Sequence, residues 1–242
     1  MRRLLGGLLD LVYPRSCLVC HGETDGDPPR HLCWECARRI RYQSNEAFCA
    51  RCGRDIPGPH ADGFVCAACR AHPPGFDLAR SAAHFEGPAR ELVHGLKYYR
   101  ADYLVPDLVD LLEACHSRHY AEERIDLVCP VPLHPARQRE RQYNQAALLA
   151  GELADRLGLP CFGDLLVRTR DTPTQTHLGA DARRANVRDA FAANPVLEGW
   201  AAGRTILLLD DVMTTGATLS EAAKALRAAG AARVLALTFA RD

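Results

Sequence analysis

Residues 75–242 alternate between apolar runs and amphipathic stretches, which is the pattern of buried strands separated by helices. The apolar run that begins at Thr205 predicts a strand buried on both faces, and apolar residues at helical spacing follow from Leu219 to Ala229. The pattern predicts further strands over Ser81–Phe85, Ile125–Val131 and Val234–Phe239, and helices over Pro88–Leu96, Tyr103–Cys115 and Asn144–Leu157. We therefore predict an α/β fold, with an open, mostly parallel sheet flanked by helices.

Residues 15–74 lack this pattern and are dominated by cysteines. Eight of the eleven cysteines form four Cys-x-x-Cys pairs, namely Cys17/Cys20, Cys33/Cys36, Cys49/Cys52 and Cys66/Cys69. Such a pair aims two sulfurs at one ion, and pairs a dozen or so residues apart complete tetrahedral thiolate sites. We predict two structural Zn²⁺ ions, bound by successive pairs or in a cross-braced arrangement, with His21, His31 and His60 as spare ligands. Disulfide bonds are the alternative, which a cytosolic location disfavours.

The cysteine segment has few large apolar residues between its pairs, so metal binding must supply much of its folding free energy. Its arginines and aromatic rings can form a surface for single-stranded nucleic acid, and a solvated charged face on a scaffold is an equal alternative. The candidates are Arg38, Arg39, Arg41, Tyr42, Arg51, Arg54 and Arg70, with Trp34 and Phe48. Pro73-Pro74-Gly75 indicates the linker to the α/β domain.

Composition limits the classes of function. The chain has 242 residues, of which 48% are hydrophobic, and its 30 basic and 30 acidic residues give a formal net charge of zero. It is long enough for a buried core and carries no overall positive field for nucleic acid, so any such binding is local.

Residues 1–14 predict a short helix that docks Leu4, Leu8 and Leu11 rather than a signal peptide, because Asp10 interrupts the apolar run. No stretch is long enough to span a bilayer, and we predict a cytoplasmic protein.

The segment after the Thr205 strand has the composition of a phosphate-binding turn. Two acids, Asp210 and Asp211, end the apolar run, and a Thr-Thr-Gly-Ala-Thr loop at residues 214–218 leads into the helix. A loop at a helix N-terminus offers unpaired N–H groups and the positive end of the helix dipole. The threonines add hydroxyl donors, and the glycine allows close approach. Simple helix capping is the alternative, and the absence of Gly-Lys-Ser/Thr excludes a Walker-type loop.

Three further polar segments follow predicted strands or helices. The strand over residues 125–131 ends in Pro132-Leu133-His134, and open α/β sheets bind ligands at the carboxyl ends of their strands. Lys97 lies at the end of a predicted helix, where it can either reach a phosphate or only favour the helix C-terminus. Residues 168–191 form a long polar stretch of the kind that makes lids.

Residues 205–218 resemble the signature with which type I phosphoribosyltransferases bind phosphoribosyl pyrophosphate (PRPP). The resemblance implies that the catalytic pair, Asp210 and Asp211, holds the ribose 2- and 3-hydroxyls and stabilises positive charge that develops on the sugar. It implies that the 5-phosphate is bound by Thr214, Thr215, Gly216, Ala217 and Thr218, and the pyrophosphate by Pro132, Leu133 and His134. Arg137, Arg139 and Arg141 either neutralise the pyrophosphate or are solvated. The resemblance also implies Mg²⁺ bound together with PRPP, and a hood loop that contains Thr174, Gln175 and Arg183.

The four Cys pairs and several motifs of the α/β domain together resemble the ComF family over nearly the whole chain. The motifs are Lys97-Tyr98, Arg141-Gln142-Tyr143-Asn144-Gln145, Thr174-Gln175 with Arg183 and Asn186, and Asp210-Asp211, and Gln142 replaces the glycine usual in the family. The expected organisation is a short helix at residues 1–14, a double zinc ribbon at 15–74 and a type I phosphoribosyltransferase fold at 75–242.

The resemblance implies a phosphoribosyltransferase that transfers a pentosyl group and serves DNA uptake in natural transformation, or the handling of single-stranded DNA. Its expected partners are PRPP, single-stranded DNA and proteins of the DNA-uptake machinery. The alternative is a catalytically silent, zinc-dependent DNA- or protein-binding module that keeps the PRPP-binding fold. No residue stands out as a general base, so the sequence leaves the acceptor open.

Overall fold

The fold is seen in a computed structural model that describes residues 16–24, 30–43, 47–58, 63–172 and 179–242. The predicted N-terminal helix over residues 1–14, His60 and the hood-loop residues Thr174 and Gln175 lie outside these ranges. Within them, no helix has the length and apolar character needed to cross a bilayer.

Strands and helices alternate through most of the described chain. The strands are β1 (Leu78–His84), β2 (Leu127–Pro130), β3 (Leu166–Arg168), β4 (Phe191–Ala193), β5 (Thr205–Met213) and β6 (Arg233–Arg241). The helices are α1 (Trp34–Arg38), α2 (Ala67–Ala71), α3 (Gly87–Tyr98), α4 (Val105–His119), α5 (Pro135–Arg141), α6 (Gln145–Leu157), α7 (Ala180–Val187) and α8 (Ala217–Ala228). Short 3₁₀ helices cover Asp102–Leu104 and Pro195–Trp200.

Four strands form one parallel sheet in the order β1-β6-β5-β2, and β3 pairs with β4 as a separate antiparallel unit. Helices α3, α4 and α6 cover one face of the sheet, and α8 with the β3–β4 pair covers the other. The predicted parallel sheet with flanking helices is therefore confirmed.

The position of β5 in the middle of the sheet explains its uninterrupted apolar sequence. Successive side chains of a strand point to opposite faces. Leu207 and Leu209 pack in the core under α3, α4 and α6, whereas Ile206 and Leu208 pack in the core under α8. All four side chains are completely buried. A strand covered on both faces needs apolar residues at every position, which is the pattern observed.

The cysteine segment lies along the free edge of β1. Tyr42 forms an antiparallel bridge with Ala83, and the Gln43 side chain accepts a hydrogen bond from the Ser81 N–H at 2.9 Å. The Arg41 carbonyl accepts another from the His84 N–H at 2.8 Å. An uncovered edge strand invites pairing with other chains. The segment therefore extends the sheet and protects its edge.

Element boundaries differ from the predictions at three places that concern the site. β5 continues through Asp210 and Asp211 to Met213, so the acids lie inside the strand rather than after it. α8 begins at Ala217 rather than Leu219. The stretch over residues 168–191, predicted as a long polar loop, contains the end of β3, the whole of α7 and the start of β4.

Candidate functional site

The eight paired cysteines form two clusters of four sulfurs. The first cluster is Cys17, Cys20, Cys33 and Cys36, the second is Cys49, Cys52, Cys66 and Cys69, and the ligand atoms of each lie within 4.8 Å of one another. The sulfurs of Cys20 and Cys33 are 3.6 Å apart, and those of Cys52 and Cys66 are 3.9 Å apart. Four thiolates held tetrahedrally at ~2.3 Å from Zn²⁺ stand about 3.8 Å apart, so both clusters fit this ion. The pairing of successive Cys pairs is confirmed, and the disulfide alternative is wrong because the cysteines are free.

Local backbone geometry explains how the Cys-x-x-Cys turns close. The Cys33 sulfur caps α1 by accepting a hydrogen bond from the Cys36 N–H at 3.4 Å. After Cys52 the chain turns at Gly53 with a φ of 69°, and a Cβ atom there would lie 2.7 Å from the Ala79 carbonyl oxygen. Only glycine fits this turn against the sheet.

The two predicted catalytic acids lie at the carboxyl end of β5 and have different surroundings. Asp211 is 7% exposed, and its Oδ1 lies 3.0 Å from the Nζ atom of Lys97. The Asp211 N–H donates a hydrogen bond to Asp210 Oδ1 at 2.9 Å. Lys97 lies in the last turn of α3, and it reaches across to this pair rather than only favouring the helix C-terminus. One cation therefore serves two adjacent carboxylates.

The charge state of Asp210 is strongly perturbed. Burial raises the pKa of Asp210 to about 7, and the neighbouring Asp211 charge acts in the same direction. Lys97 and Arg168 oppose this rise because their positive charges favour the carboxylate. Asp210 is therefore partly protonated in the free protein near neutral pH, and a ligand that donates hydroxyl groups to Asp210 favours its ionised form.

The predicted phosphate loop connects β5 to α8. Gly216 caps the helix with a φ of 78°, a left-handed conformation that glycine adopts without strain. The loop opens onto a cavity of about 330 Å³, whose wall includes Thr214, Gly216, Ala217 and Thr218 together with Asp210. Thr215 contributes a hydroxyl oxygen that accepts the Ala217 N–H at 3.4 Å. The start of this twelve-residue helix, with the positive end of its dipole, thus faces a cavity edged by a carboxylate.

The cationic residues predicted from sequence are brought together only in part. Lys97, Arg137, Arg141 and Arg183 line the 330 Å³ cavity. Arg139 is exposed on the far side of α5 and borders none of the cavities at this site. An excess of positive charge beside the loop suits a ligand with several phosphates.

The segment after β2 lines a second, smaller cavity beneath the acids. Pro132 and Leu133 border this space of about 130 Å³ together with Asp210 and Asp211. His134 instead caps α5, where its Nδ1 accepts the Ala136 N–H at 3.4 Å and lies 3.6 Å from Asp171 Oδ1. Two of the three predicted pyrophosphate-loop residues therefore face the acids directly.

The small cavity also contains residues that the sequence did not single out as ligand-binding. Asn144, Gln145 and Arg168 line it. Gln145 is 1% exposed, and its Nε2 has no hydrogen-bond partner among the described residues, while its Oε1 accepts from Arg141 at 3.3 Å. Gln145 lies in a motif quoted above for its family resemblance. The residues that follow it in α6 are apolar, and this sequence context did not indicate that Gln145 faces the acids.

A row of aromatic rings was also missed. Phe85, His94 and Tyr98 line the 330 Å³ cavity opposite the phosphate loop. The rings of Phe85 and His94 have centroids 6.0 Å apart, and those of His94 and Tyr98 are 5.6 Å apart and nearly perpendicular. Tyr98 belongs to the Lys97-Tyr98 motif quoted above, and the spacing of His94 and Tyr98 places them on one face of a helix, but neither signal pointed to a row of rings at a cavity.

The predicted nucleic-acid surface on the cysteine segment is incomplete. Trp34 is 73% exposed and Tyr42 is 47% exposed. Phe48 instead packs inward, with the Arg80 guanidinium 4.5 Å from its ring centroid. A groove of about 520 Å³ runs from the second cysteine cluster to the phosphate loop, and Arg54 and Arg188 border it. Basic residues therefore do lie between the two parts of the chain.

Two parts of the chain match known protein families, and several known proteins are similar to most of its length. The family described as "Double zinc ribbon domain" matches residues 8–72, and the one described as "Phosphoribosyl transferase domain" matches residues 144–242. "DNA utilization protein YhgH" of Escherichia coli O157:H7 is 34% identical over 206 residues, which cover 84% of this chain and 87% of the relative. "Competence protein F" of Haemophilus influenzae is 30% identical over 230 residues, covering 93% and 96%. "Competence protein ComFC" of Bacillus subtilis is 26% identical over 254 residues, covering 98% of each chain.

Proposed function

Because the chain belongs to the ComF family, in which a double zinc ribbon accompanies a phosphoribosyl transferase domain, we propose that it binds PRPP with Mg²⁺ and transfers the phosphoribosyl group. The observation that supports this most directly is the cavity shared by Asp210 and the loop at the start of α8. A sugar phosphate needs both a hydroxyl-binding carboxylate and an anion-binding helix terminus within the length of a pentose.

Each part of PRPP has a complementary group in this site. The loop at residues 214–218 binds the 5-phosphate, and Asp210 with Asp211 accepts hydrogen bonds from the ribose hydroxyls. Pro132 and Leu133 border the pyrophosphate, and Lys97 and Arg141 line both their cavity and the larger one. Asp210 and Asp211 are the carboxylates that would hold Mg²⁺ together with the phosphate oxygens of the ligand, and the ion would neutralise part of the pyrophosphate charge.

The residues of this chain assist bond cleavage by electrostatics. When the bond between C1 and pyrophosphate breaks, positive charge develops on the ribose ring, and the carboxylates below it stabilise that charge. Arg137 and Arg141 stabilise the departing pyrophosphate, because their guanidinium groups form charge-assisted hydrogen bonds with phosphate oxygens. Lys97 balances Asp211 before the ligand arrives, since its Nζ lies 3.0 Å from Asp211 Oδ1.

We place this activity in DNA uptake or the handling of single-stranded DNA, in line with the names of the relatives. A second candidate is a catalytically silent module that binds DNA or a protein of the uptake machinery through its zinc ribbons. The exposed Trp34 and the groove bordered by Arg54 and Arg188 favour it, because an aromatic ring and cations are the elements of single-strand binding.

The test is calorimetric titration of PRPP with Mg²⁺ into the purified, zinc-loaded protein. The double substitution Asp210→Asn and Asp211→Asn removes charge with little change in volume. We expect saturable binding that the double variant weakens by roughly 100-fold, because hydrogen bonds to charged groups contribute about 1.5–3 kcal/mol each. Glu152→Gln, which removes an ion pair with Arg156 on the outer side of α6, serves as the control.

Absence of PRPP binding by folded wild-type protein would contradict the transferase proposal. The second candidate then requires single-stranded DNA binding whose affinity falls steeply with salt, because phosphate contacts release counterions.

A further inference from the structure

The phosphate loop at residues 214–218 borders two different cavities. Gly216 and Ala217 line the 330 Å³ cavity of the acids, and they also line the 520 Å³ groove beside the cysteine segment. Pro73 and Phe76, from the linker between the cysteine segment and the α/β domain, line the same groove. The loop therefore stands between the proposed ligand cavity and the linker.

The linker is held closely against α8. The Gly75 N–H donates a hydrogen bond to Ser220 Oγ at 2.9 Å. A Cβ atom on Gly75 would lie 2.5 Å from the Ser220 carbonyl oxygen and 2.8 Å from Lys224 Cγ, so only glycine allows this approach. Two residues later, Asp77 accepts hydrogen bonds from Arg227 of the same helix. The linker thus follows α8 along its length.

Phe76 carries this contact to the phosphate loop. Its side chain is 2% exposed and packs in the apolar core under α8. A Cβ atom placed on Gly216 would lie 3.6 Å from Phe76 Cζ and 3.5 Å from Met213 Sδ, which are ordinary van der Waals distances. Gly216 is the residue whose left-handed φ turns the loop into α8. The Phe76 ring therefore lies next to the turn that sets the shape of the loop.

The linker starts from the second cysteine cluster. Cys69 of that cluster lies in α2, which ends at Ala71, and Pro73-Pro74 follows. Successive prolines have a fixed φ and favour an extended, stiff chain. The first cluster instead meets α3, where Leu18 lies against Gly95. The short, stiff connection to the phosphate loop therefore belongs to the second cluster.

We propose that Gly75 and Phe76 are positioning residues, anchored by the second cysteine cluster, which hold the loop in the conformation that binds a sugar 5-phosphate. This proposal rests on the proposed binding of the 5-phosphate by the loop. A loop that adopts its binding conformation for only part of the time binds its ligand more weakly by that fraction. The zinc ribbon thus contributes to ligand binding, although none of its described residues lines the ligand cavity.

The test measures the affinity for each part of PRPP separately. Ribose 5-phosphate, and pyrophosphate with Mg²⁺, are titrated into zinc-loaded wild-type protein, Gly75→Ala and Gly163→Ala. Gly163 is the matched control, because a Cβ atom there meets nothing within 4 Å. We expect Gly75→Ala to weaken ribose 5-phosphate roughly 10-fold, as for a loop that is competent in about a tenth of the molecules. Pyrophosphate affinity should stay unchanged, whereas a general loss of structure would weaken both ligands.

A second pair of variants separates loop positioning from core packing. Phe76→Leu shortens the side chain next to Gly216 and should also weaken ribose 5-phosphate selectively. Leu226→Ala is the control, since Leu226 is completely buried in the same core but lies near the other end of α8. It should lower the melting temperature at least as much and leave the affinity for ribose 5-phosphate unchanged.

A mild variant keeps the test decisive if a buried substitution prevents folding. Ser220→Ala removes only the acceptor of the Gly75 N–H. It should give the same selective loss of ribose 5-phosphate affinity, to a smaller extent.

The remaining outcomes separate this proposal from the transferase function. If wild type binds ribose 5-phosphate and Gly75→Ala binds it equally well, the positioning proposal fails alone. It also fails if Gly75→Ala weakens pyrophosphate to the same extent, or if Gly163→Ala or Leu226→Ala matches the loss in its partner variant. If wild type binds neither ribose 5-phosphate nor PRPP, both proposals fail.

Discussion

The zinc ribbon and the α/β domain reach a fixed structure by different physical means. In the ribbon, the two helices α1 and α2 have five residues each, and the buried positions are chiefly cysteines and Ile40. In the α/β domain, two apolar cores sandwich a parallel sheet. Helices that short are unstable by themselves. The ribbon thus depends on metal ligation, whereas the domain depends on apolar burial.

The comparison also shows where the two regions depend on each other. The Ala79 N–H donates to the Arg51 carbonyl at 2.7 Å, and the Ser81 N–H donates to the Gln43 side chain. At the other end of the contact, Arg241 of β6 donates to the Cys52 carbonyl at 2.6 Å. Two regions with separate sources of stability therefore share hydrogen bonds along the edge of one sheet.

Removal of zinc should have the largest effect. A strong chelator should unfold the ribbon, because structural zinc contributes roughly 10–16 kcal/mol of apparent binding free energy. Hydrogen exchange should become fast throughout the described ribbon residues, and faster at Ala79 and Ser81, whose amides lose their ribbon partners. The amides of β5 should stay protected. Zinc re-addition is the control, and a ribbon that remains protected without metal would contradict this account.

Substitution at the contact between the regions should have an intermediate effect. Arg241→Met keeps an apolar stem but removes the donor to Cys52, and Arg241 is 4% exposed. We expect a loss of about 1.5–3 kcal/mol in the free energy of unfolding, measured in denaturant. Arg233→Met, at the other end of β6, removes a surface ion pair with Glu123 and should cost less than about 1 kcal/mol. Equal losses would mean that the buried hydrogen bond contributes no more to the free energy of unfolding than the surface ion pair does.

The last effect appears only as the pH changes, and it concerns Asp210 of the α/β domain, which has no counterpart among the described ribbon residues. The pKa of Asp210 lies near 7 in the folded protein and at about 3.8 ordinarily, so folding favours its protonated form. This stabilisation is complete below pH ~4 and is lost as the pH rises to about 7. Unfolding of the ligand-free protein should therefore show a steeper decline of stability across this window in wild type than in Asp210→Asn. Parallel curves would contradict the raised pKa.

Sequence succeeded where function lies in a short, continuous segment. Cys33 and Cys36 bind one ion because a single turn places both sulfurs, and the adjoining residues fix that turn. Likewise, the loop at residues 214–218 is defined by the buried strand before it and the helix after it. Such features depend on interactions between residues close in sequence, and their patterns predicted the parallel sheet and the zinc clusters.

Only the tertiary structure decided which distant residues complete the site. Lys97 reaches Asp211, Gln145 faces the same acids, and Tyr98 lines their cavity. These residues come from α3, α6 and β5, which are far apart in the chain. Their meeting follows from the strand order β1-β6-β5-β2, which brings the carboxyl ends of parallel strands to one edge. Strand order is set by the packing of both apolar cores together, so the Lys97-Tyr98 motif indicated a phosphate-binding lysine but not its contact with Asp211.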